Sequence, residues 1–309
     1  MRAHAAVGAL VLVLSQGCAL KTLALKSVAD TLSTSGETFA SDDDPELVRD
    51  AVPFALKTYE SLLESLPRHR GLLLATCSGF TQYSYAFVEP EAEALEAREY
   101  ERSLAVRERS LKLYLRARDY CLRAIEVAHP GLPARLNAGP DPGAALLAVK
   151  KKGDVPLLYW TGAAWGAAVS LGLDRPALVG DMPIVRALMD RALALDPTFG
   201  QGAIHEVLIS LEALPAEMGG SVERARAHFE RAVELQRGRG AGAYVTLATA
   251  VALPAHDRAE FVRLLERALA VDVDADKSRR LANLIAQKRA RDLLSRVDDL
   301  FVTSEDRLP

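Results

Sequence analysis

Apolar residues recur at helical spacing along most of the chain, and no stretch alternates apolar and polar residues over the length of a strand. Asp43 and Asp44 precede Pro45, which gives the first long periodic segment a side-chain cap and a proline suited to a first helical turn. The segment 129–143 is rich in proline and glycine and predicts a loop or short linker. The pattern therefore predicts an all-α protein with helices over residues 45–65, 69–88, part of 92–128, 156–172, 176–195, 199–213, 221–236, 241–253, 257–272 and 276–300.

Four of these helical segments share a short pattern, Arg-Ala followed by an aliphatic residue. The intervals between them are 68, 40 and 36 residues, and the first is twice the period of tetratricopeptide repeats. Ala225, Phe229 and Ala232 follow the small, large, small order with which the second helix of such a repeat packs on its partner. The first-helix signature is missing, so we predict an irregular tetratricopeptide-like helical repeat solenoid, with an unrelated helical bundle as the alternative. The shared pairs are Arg123-Ala124, Arg191-Ala192, Arg231-Ala232 and Arg267-Ala268.

The first residues of the chain contain an apolar run, Ala5–Leu14, which is too short to span a bilayer. The run leads to Gly17 and Cys18, and this stretch is similar to a bacterial lipobox, although Ser15 stands where a leucine is commonest. We therefore expect Cys18 to carry the lipid anchor. The alternative is an ordinary secretory signal in which this cysteine has no special role.

The lipobox divides the chain into three predicted parts. They are a lipoprotein signal peptide (1–17), a lipidated tether (18–44) and a helical repeat domain (45–309). Such a protein would be attached to a Gram-negative membrane at its periplasmic face. Ala19 is not the aspartate that retains lipoproteins at the inner membrane of enteric bacteria, which favours the outer membrane.

Composition gives no indication of nucleic-acid binding. The chain has 38 Lys and Arg against 41 Asp and Glu, a formal net charge of -3, and its run Lys150–Lys152 is short enough for a solvated loop. Cys77 and Cys121 lie in helical, largely apolar stretches. They either form a disulfide in an oxidising periplasm or remain buried free thiols, and their separation matches no zinc pattern.

Motifs for catalysis are incomplete. His205–Ile209 begins like a metalloprotease helix, but Ile209 stands where the second histidine ligand is needed. No Gly-x-Ser-x-Gly elbow or phosphate-binding loop is present in the sequence. Met218–Ser221 is either an anion cradle or, as we favour, a tight turn with Ser221 capping the next helix. We therefore predict that the protein is not an enzyme and has neither a metal nor a cofactor.

Three stretches of the sequence resemble a known protein family: "LYWTGAAWGAAVSL" (158–171), "EMGGSVERARAHFERAVEL" (217–235) and "RLANLIAQKRARDLLSRVDDLF" (280–301). In this order they resemble the T component associated with TRAP transporters, a family of periplasmic tetratricopeptide-repeat lipoproteins. The resemblance implies a partner, the TRAP substrate-binding subunit, and a pore or cleft that binds or passes a hydrophobic or organic-acid ligand. It also implies a homo-oligomer, since a trimer is known in the family. A structural envelope lipoprotein scaffold is the alternative function.

Five large or polar residues are candidates for lining such a cleft or channel. Tyr159, Trp160 and Trp165 share one predicted helix, but their spacing spreads them over more than one of its faces. Asn283 and Gln287 are four residues apart on the last long helix and therefore share a face. Amides on one face line a wet channel, bridge helices or face bulk water, and the sequence leaves these three roles open.

Overall fold

The computed structural model describes residues 23–34, 36–96, 98–139 and 141–301, and within these ranges the chain is helical and contains no strand. The all-α prediction is therefore confirmed. The predicted signal peptide and Cys18 lie outside the described residues. The helices in chain order are α1 (residues 23–34), α2 (Gly36–Ala40), α3 (Pro45–Ser65), α4 (Arg70–Tyr83), α5 (Glu89–Leu95), α6 (Tyr100–Ala128), α7 (Leu132–Ala138), α8 (Pro142–Leu146), α9 (Val155–Leu171), α10 (Pro176–Val179), α11 (Met182–Leu195), α12 (Ala203–Glu212), α13 (Val222–Leu235), α14 (Gly242–Leu247), α15 (Arg258–Leu269), α16 (Arg280–Ser295) and α17 (Val297–Leu300).

Local sequence signals set several of the helix ends. The Asp44 carboxylate accepts hydrogen bonds of 3.0 Å from two backbone N–H groups in the first turn of α3. Ser221 Oγ accepts one of 3.3 Å from the Arg224 N–H at the start of α13. Just before it, a Cβ added at Gly220 would lie 1.7 Å from the Leu214 carbonyl oxygen, so the close approach requires glycine. The interpretation of Met218–Ser221 as a tight turn, with Ser221 capping the next helix, is confirmed.

The structure differs from the predicted pattern in several segments, and three of them lie in the N-terminal half of the chain. The helix expected over 69–88 ends its regular part with α4 and continues as a π-helical turn, Ser84–Val88, directly into α5. The segment expected as a loop, 129–143, contains α7 and the start of α8. Leu132 and Leu136 are buried there, and Pro133 and Pro142 occupy the first turns of α7 and α8, where helices tolerate proline. The described parts of the expected tether, 23–34 and 36–44, are also mostly helical, in α1 and α2.

Packing builds two large hydrophobic cores and a small third cluster around Leu111, Tyr114 and Ala168. α6 packs against α4 and α9, and α9 packs against α11, around a core that extends from α1 to α12. α12 packs against α13, and α15 against α16, around the second core. In all four Arg-Ala pairs the alanine is fully buried. Phe229 is only partly buried and meets the Tyr244 ring edge-on. The repeat solenoid itself stays a prediction.

The last long helix returns to the first part of the chain. Arg289 on α16 donates a hydrogen bond of 2.5 Å to the Glu93 carboxylate on α5, and Arg296 donates one of 3.2 Å to the Glu93 carbonyl oxygen. At the other end of α16, Arg280 lies 3.6 Å from the Asp43 carboxylate. These contacts join segments about two hundred residues apart and hold α16 opposite α3 and α4.

Candidate functional site

A cavity of about 640 Å³, which we call the chamber, lies between the N-terminal helices and α16. α3 and α4 supply one part of its lining and α16 another, and α1, α2, α9, α12 and α14 also contribute residues. This volume is typical of small-molecule sites. A second cavity, beside Glu93 and Arg107, measures about 60 Å³ and accommodates only water-sized groups. The chamber lining includes Val52, Leu56, Ala75, Gly79, Tyr83, Tyr85, Trp160, Glu206, Arg279, Ala282, Asn283, Ile285, Ala286 and Arg289.

Most of the chamber wall is apolar and built from helix faces. Val52 and Leu56 are four residues apart on α3, and Ala282 and Ala286 are four apart on α16, so each pair presents one face. On α4, a Cβ added at Gly79 would lie 2.7 Å from Leu56 Cδ2, which shows how closely α3 and α4 approach. Such walls favour a ligand with a large apolar surface, because its burial removes that surface from water.

Glu206 and Arg279 form one charged region of the chamber lining. Glu206 accepts a hydrogen bond of 2.6 Å from Gln236 Nε2, and burial raises the pKa of the Glu206 carboxyl although the charge of Arg279 opposes the shift. Arg279 Nε and Nη2 are buried, and neither has a hydrogen-bond partner in the described part of the chain. The chamber therefore contains guanidinium donors whose hydrogen-bonding capacity is unused.

Arg289 belongs to a second charged region, and here the charges are compensated. Its guanidinium donates to Glu93 and lies 5.9 Å from the centroid of the Tyr85 ring. Nearby, Tyr114 donates a hydrogen bond of 2.7 Å to Glu89, whose pKa is raised by burial in spite of the positive charge of Arg289. This network connects α16 to α5 and α6, so its first role is to hold the chamber walls together.

The three aromatic candidates occupy different places around α9. Trp160 lines the chamber. Tyr159 packs edge-on against Trp160, with ring centroids 4.9 Å apart, and burial raises the pKa of its phenol. Trp165 is only 3% exposed and donates its Nε1–H to Asp181 over 2.9 Å. The structure thus places Trp160 at the chamber, Tyr159 behind it and Trp165 in the protein core.

The two amide candidates share α16 but differ in what they bind. Asn283 lines the chamber, and it also fastens the loop before α14, because it accepts from the Ala241 N–H and donates to the Arg239 carbonyl, both over 2.9 Å. Gln287 Nε2 donates to the carbonyls of Ala268 and Leu269 in the last turn of α15 and to that of Val271 just after it, the shortest bond being 2.7 Å to Val271. Gln287 therefore bridges α16 to the end of α15, whereas Asn283 has a surface on the chamber.

Sequence reasoning missed the residues that give the chamber its charge and its aromatic wall. Glu206 lies inside the incomplete metal motif, residues 205–209, and Arg279 lies in a basic run, Lys277–Arg280, typical of an exposed helix start. Tyr83 and Tyr85 flank the start of the π-helical turn after α4, and π-helical turns are frequent at functional sites. That turn is visible only in the folded chain, since the sequence continues with an ordinary helical pattern.

Within the described ranges, no three His, Cys, Asp or Glu side chains are grouped so that they could hold a metal ion. The same ranges include no helix with both the length and the apolar character needed to cross a bilayer.

The fold and the chamber define an all-α protein with an internal site of small-molecule size. The chain belongs to the TRAP transporter T-component family, whose family model matches residues 41–301. The match includes α3 to α16 and with them most of the chamber lining. A protein from Treponema pallidum (strain Nichols), described as uncharacterized, is 33% identical over 305 residues, which cover 94% of each chain. The resemblance seen in the sequence is therefore confirmed, and family membership associates the protein with TRAP transporters.

Proposed function

We propose that this protein docks the substrate-binding subunit of a TRAP transporter and binds or passes its small-molecule ligand in the chamber. The observation that carries the proposal is the chamber itself, an apolar cavity of about 640 Å³ in a member of a transporter-component family. An apolar ligand that crosses water exposes its surface at a cost of about 25 cal/mol per Å². A protein-lined path between this protein and the substrate-binding subunit avoids this exposure.

The proposed location is the periplasmic face of a Gram-negative membrane, preferably the outer one, with a lipid anchor on Cys18. The disulfide between Cys77 and Cys121 supports an oxidising compartment, because such bonds persist outside the cytosol. Anchoring confines the protein to a thin layer and raises its effective concentration towards a partner that diffuses there. A homo-oligomer, with a trimer as the first arrangement to test, would present several chambers to such partners.

Docking is tested by sedimentation velocity of the full chain mixed with the substrate-binding subunit from the same genome. A faster-moving complex at micromolar concentration is the expected result, and the same experiment on the chain alone reports its oligomeric state. If the two proteins sediment independently and deletion leaves solute uptake unchanged, docking is overturned. The envelope scaffold then becomes the better account of the protein.

Ligand binding is tested with N-phenyl-1-naphthylamine, a neutral dye that fluoresces in apolar surroundings. Ala286→Trp would fill the chamber from α16, whereas Lys288→Trp adds the same ring to an exposed position of the same helix. We expect strong fluorescence with the unchanged chain and with Lys288→Trp, and a loss with Ala286→Trp. Equal fluorescence from the two variants would show that the dye binds elsewhere and would contradict a ligand-binding chamber.

A further inference from the structure

We infer that the chamber binds an amphiphile with a single carboxylate, whose charged group pairs with Arg279 while its apolar part lies along α16. The inference rests on the proposed function, since it names the chemical class of the ligand for the same site. It depends on three observations: the unused donors of Arg279, the compensation of the neighbouring arginines, and the apolar wall between Arg279 and Arg289.

The first observation concerns Arg279 at the start of α16. Its Nε and Nη2 are buried without a hydrogen-bond partner among the described residues, and the residue lines the chamber. A buried donor without a partner costs about 1–3 kcal/mol, and more when it is charged. A carboxylate is the group that best satisfies a guanidinium, because its two oxygens match the fork of N–H donors.

The carboxylates that influence Arg279 are engaged with other groups. Glu206 accepts from Gln236, and Asp276 accepts from the backbone N–H and hydroxyl of Ser278 over 3.1 and 2.6 Å. The hydrogen bonds from Ser278 lower the pKa of Asp276, and the positive charge of Arg279 contributes in the same direction. The guanidinium nevertheless keeps two buried donors for a further partner.

The second observation is that the other arginines of α16 near the chamber are paired. Arg280, the next residue, contacts the Asp274 carboxylate at 2.5 Å and Asp43 at 3.6 Å. Arg289 is paired with Glu93 at 2.5 Å. Arg280 and Arg289 each keep a buried Nε without a hydrogen-bond partner among the described residues, but a carboxylate compensates the charge of each, whereas Arg279 has no ion pair there. A ligand with two carboxylates would find Arg289 already compensated, so the arrangement fits one charged group rather than two.

The third observation is the shape of the wall between these arginines. Arg279 and Arg289 are ten residues apart, or about 15 Å along a helix axis. Ala282, Ile285 and Ala286 line the chamber over that length and are apolar, and the one polar lining residue among them, Asn283, is uncharged and bonded to the Ala241 N–H and the Arg239 carbonyl. A ligand that places its carboxylate at Arg279 can therefore lay an apolar chain along α16 without burying another charge.

The position of Glu206 favours a ligand with one negative charge over a ligand with two. This carboxyl is buried in the same region, and burial raises its pKa, so an approaching carboxylate favours the protonated form further. A protonated Glu206 does not repel the ligand and supplies a hydrogen-bond donor. A second negative charge on the ligand would have no such compensation.

The test is equilibrium dialysis of the full chain against radiolabelled decanoate below its micelle concentration, with decan-1-ol as the uncharged counterpart. We expect decanoate to bind more tightly than decan-1-ol. Arg279→Gln should weaken decanoate binding by about ten- to a hundredfold, the loss of a charge-assisted hydrogen bond, and should leave decan-1-ol binding unchanged. Arg280→Gln is the matched control, because it removes a neighbouring arginine that points to Asp274 and Asp43.

Arg279→Lys keeps the positive charge but loses the paired N–H donors of the guanidinium, so it should recover part of the affinity for decanoate. This recovery would also show that the loss in Arg279→Gln is not caused by misfolding. Equal binding of decanoate and decan-1-ol, or equal losses in Arg279→Gln and Arg280→Gln, would overturn the inference. Glu206→Gln should leave decanoate binding unchanged or tighter. A clear loss in that variant would indicate a zwitterionic ligand, with its cationic group at Glu206, and would overturn the monocarboxylate assignment.

The result is distinguishable from failure of the docking proposal. Decanoate that binds through Arg279 in a protein that forms no complex with the substrate-binding subunit would keep the ligand inference and overturn docking. A complex that forms normally, with no decanoate binding at all, would overturn the inference alone.

Discussion

Cys77 on α4 and Cys121 on α6 are joined by a disulfide, with their Cα atoms 5.3 Å apart. Both residues are fully buried in the first core, and α4 and α6 pack closely against each other. The sequence left two states open for these cysteines, and the structure has the disulfide. The bond ties a chamber helix, α4, to the long helix behind it.

The first prediction is that loss of this disulfide lowers the free energy of unfolding by about 4 kcal/mol. The bond closes a loop of 44 residues, and the stabilisation by chain entropy is of that size for such a loop. Urea denaturation of a Cys77→Ala, Cys121→Ala double variant measures the change. A reducing agent should destabilise the unchanged protein and have no effect on the double variant. If reduction leaves the unchanged protein equally stable, the bond is absent in solution.

The second prediction concerns Asn283, whose side chain fastens the loop between α13 and α14 to α16. Asn283→Ala should lower the free energy of unfolding by about 2–4 kcal/mol, because two hydrogen bonds are lost and the Ala241 N–H is left buried without its partner. Lys288→Ala, an exposed position on the same helix, should change it by less than about 0.5 kcal/mol. Similar values for the two variants would show that the loop does not depend on this amide.

The third prediction is a loss of stability in acid that originates at His205 and His228. Their Nδ1 atoms lie 2.9 Å apart, so one nitrogen must be unprotonated to accept a hydrogen bond from the other. Burial lowers the pKa of both rings. Arg231 lowers the pKa of His205 further, and Arg224 lowers that of His228. Glu212 and Asp190 act in the opposite direction on His228, without reversing its shift.

The folded protein therefore binds fewer protons than the unfolded chain as the pH falls through about 6.5. This contribution to stability is present above that pH and is lost below it. Thermal melts at about pH 7.5 and about pH 5.5 should show a smaller decrease for His228→Asn than for the unchanged protein. His256→Asn removes an exposed histidine and should keep the full decrease. An unchanged decrease in His228→Asn would assign the acid sensitivity to other groups.

The sequence predicts features that depend on neighbouring residues. Asp44 caps α3 and Ser221 caps α13 because the capping oxygen and the N–H groups are within a few positions of each other. The buried alanines of the Arg-Ala pairs follow from helical periodicity in the same way. Trp160 is a candidate because it is a large aromatic residue on a predicted helix, and the structure places it at the chamber.

The chamber could not be predicted in the same manner, because its walls are far apart in the chain. Glu93 and Arg289, which join α5 to the chamber helix α16, are separated by 196 residues. No periodicity in either helix indicates this contact. Arg279 and Glu206 meet in one region for the same reason, and each taken alone has the appearance of an ordinary charged residue on a helix.

The last prediction concerns Cys18, which lies outside the described residues and whose lipidation remains a hypothesis from the apolar run and Gly17 before it. Cells grown with radiolabelled palmitate should incorporate label into the unchanged protein, because an acylated cysteine with several chains gives durable attachment to a membrane. Cys18→Ser should lose the label. The Cys77→Ala, Cys121→Ala double variant should keep it, which shows that the label is specific to the first cysteine and not to thiols in general. Label that persists in Cys18→Ser, or a mature protein that retains residues before position 18, would contradict the lipid anchor and favour an ordinary secretory signal. The protein would then have to bind its partner from solution, without the higher effective concentration that a shared membrane surface gives.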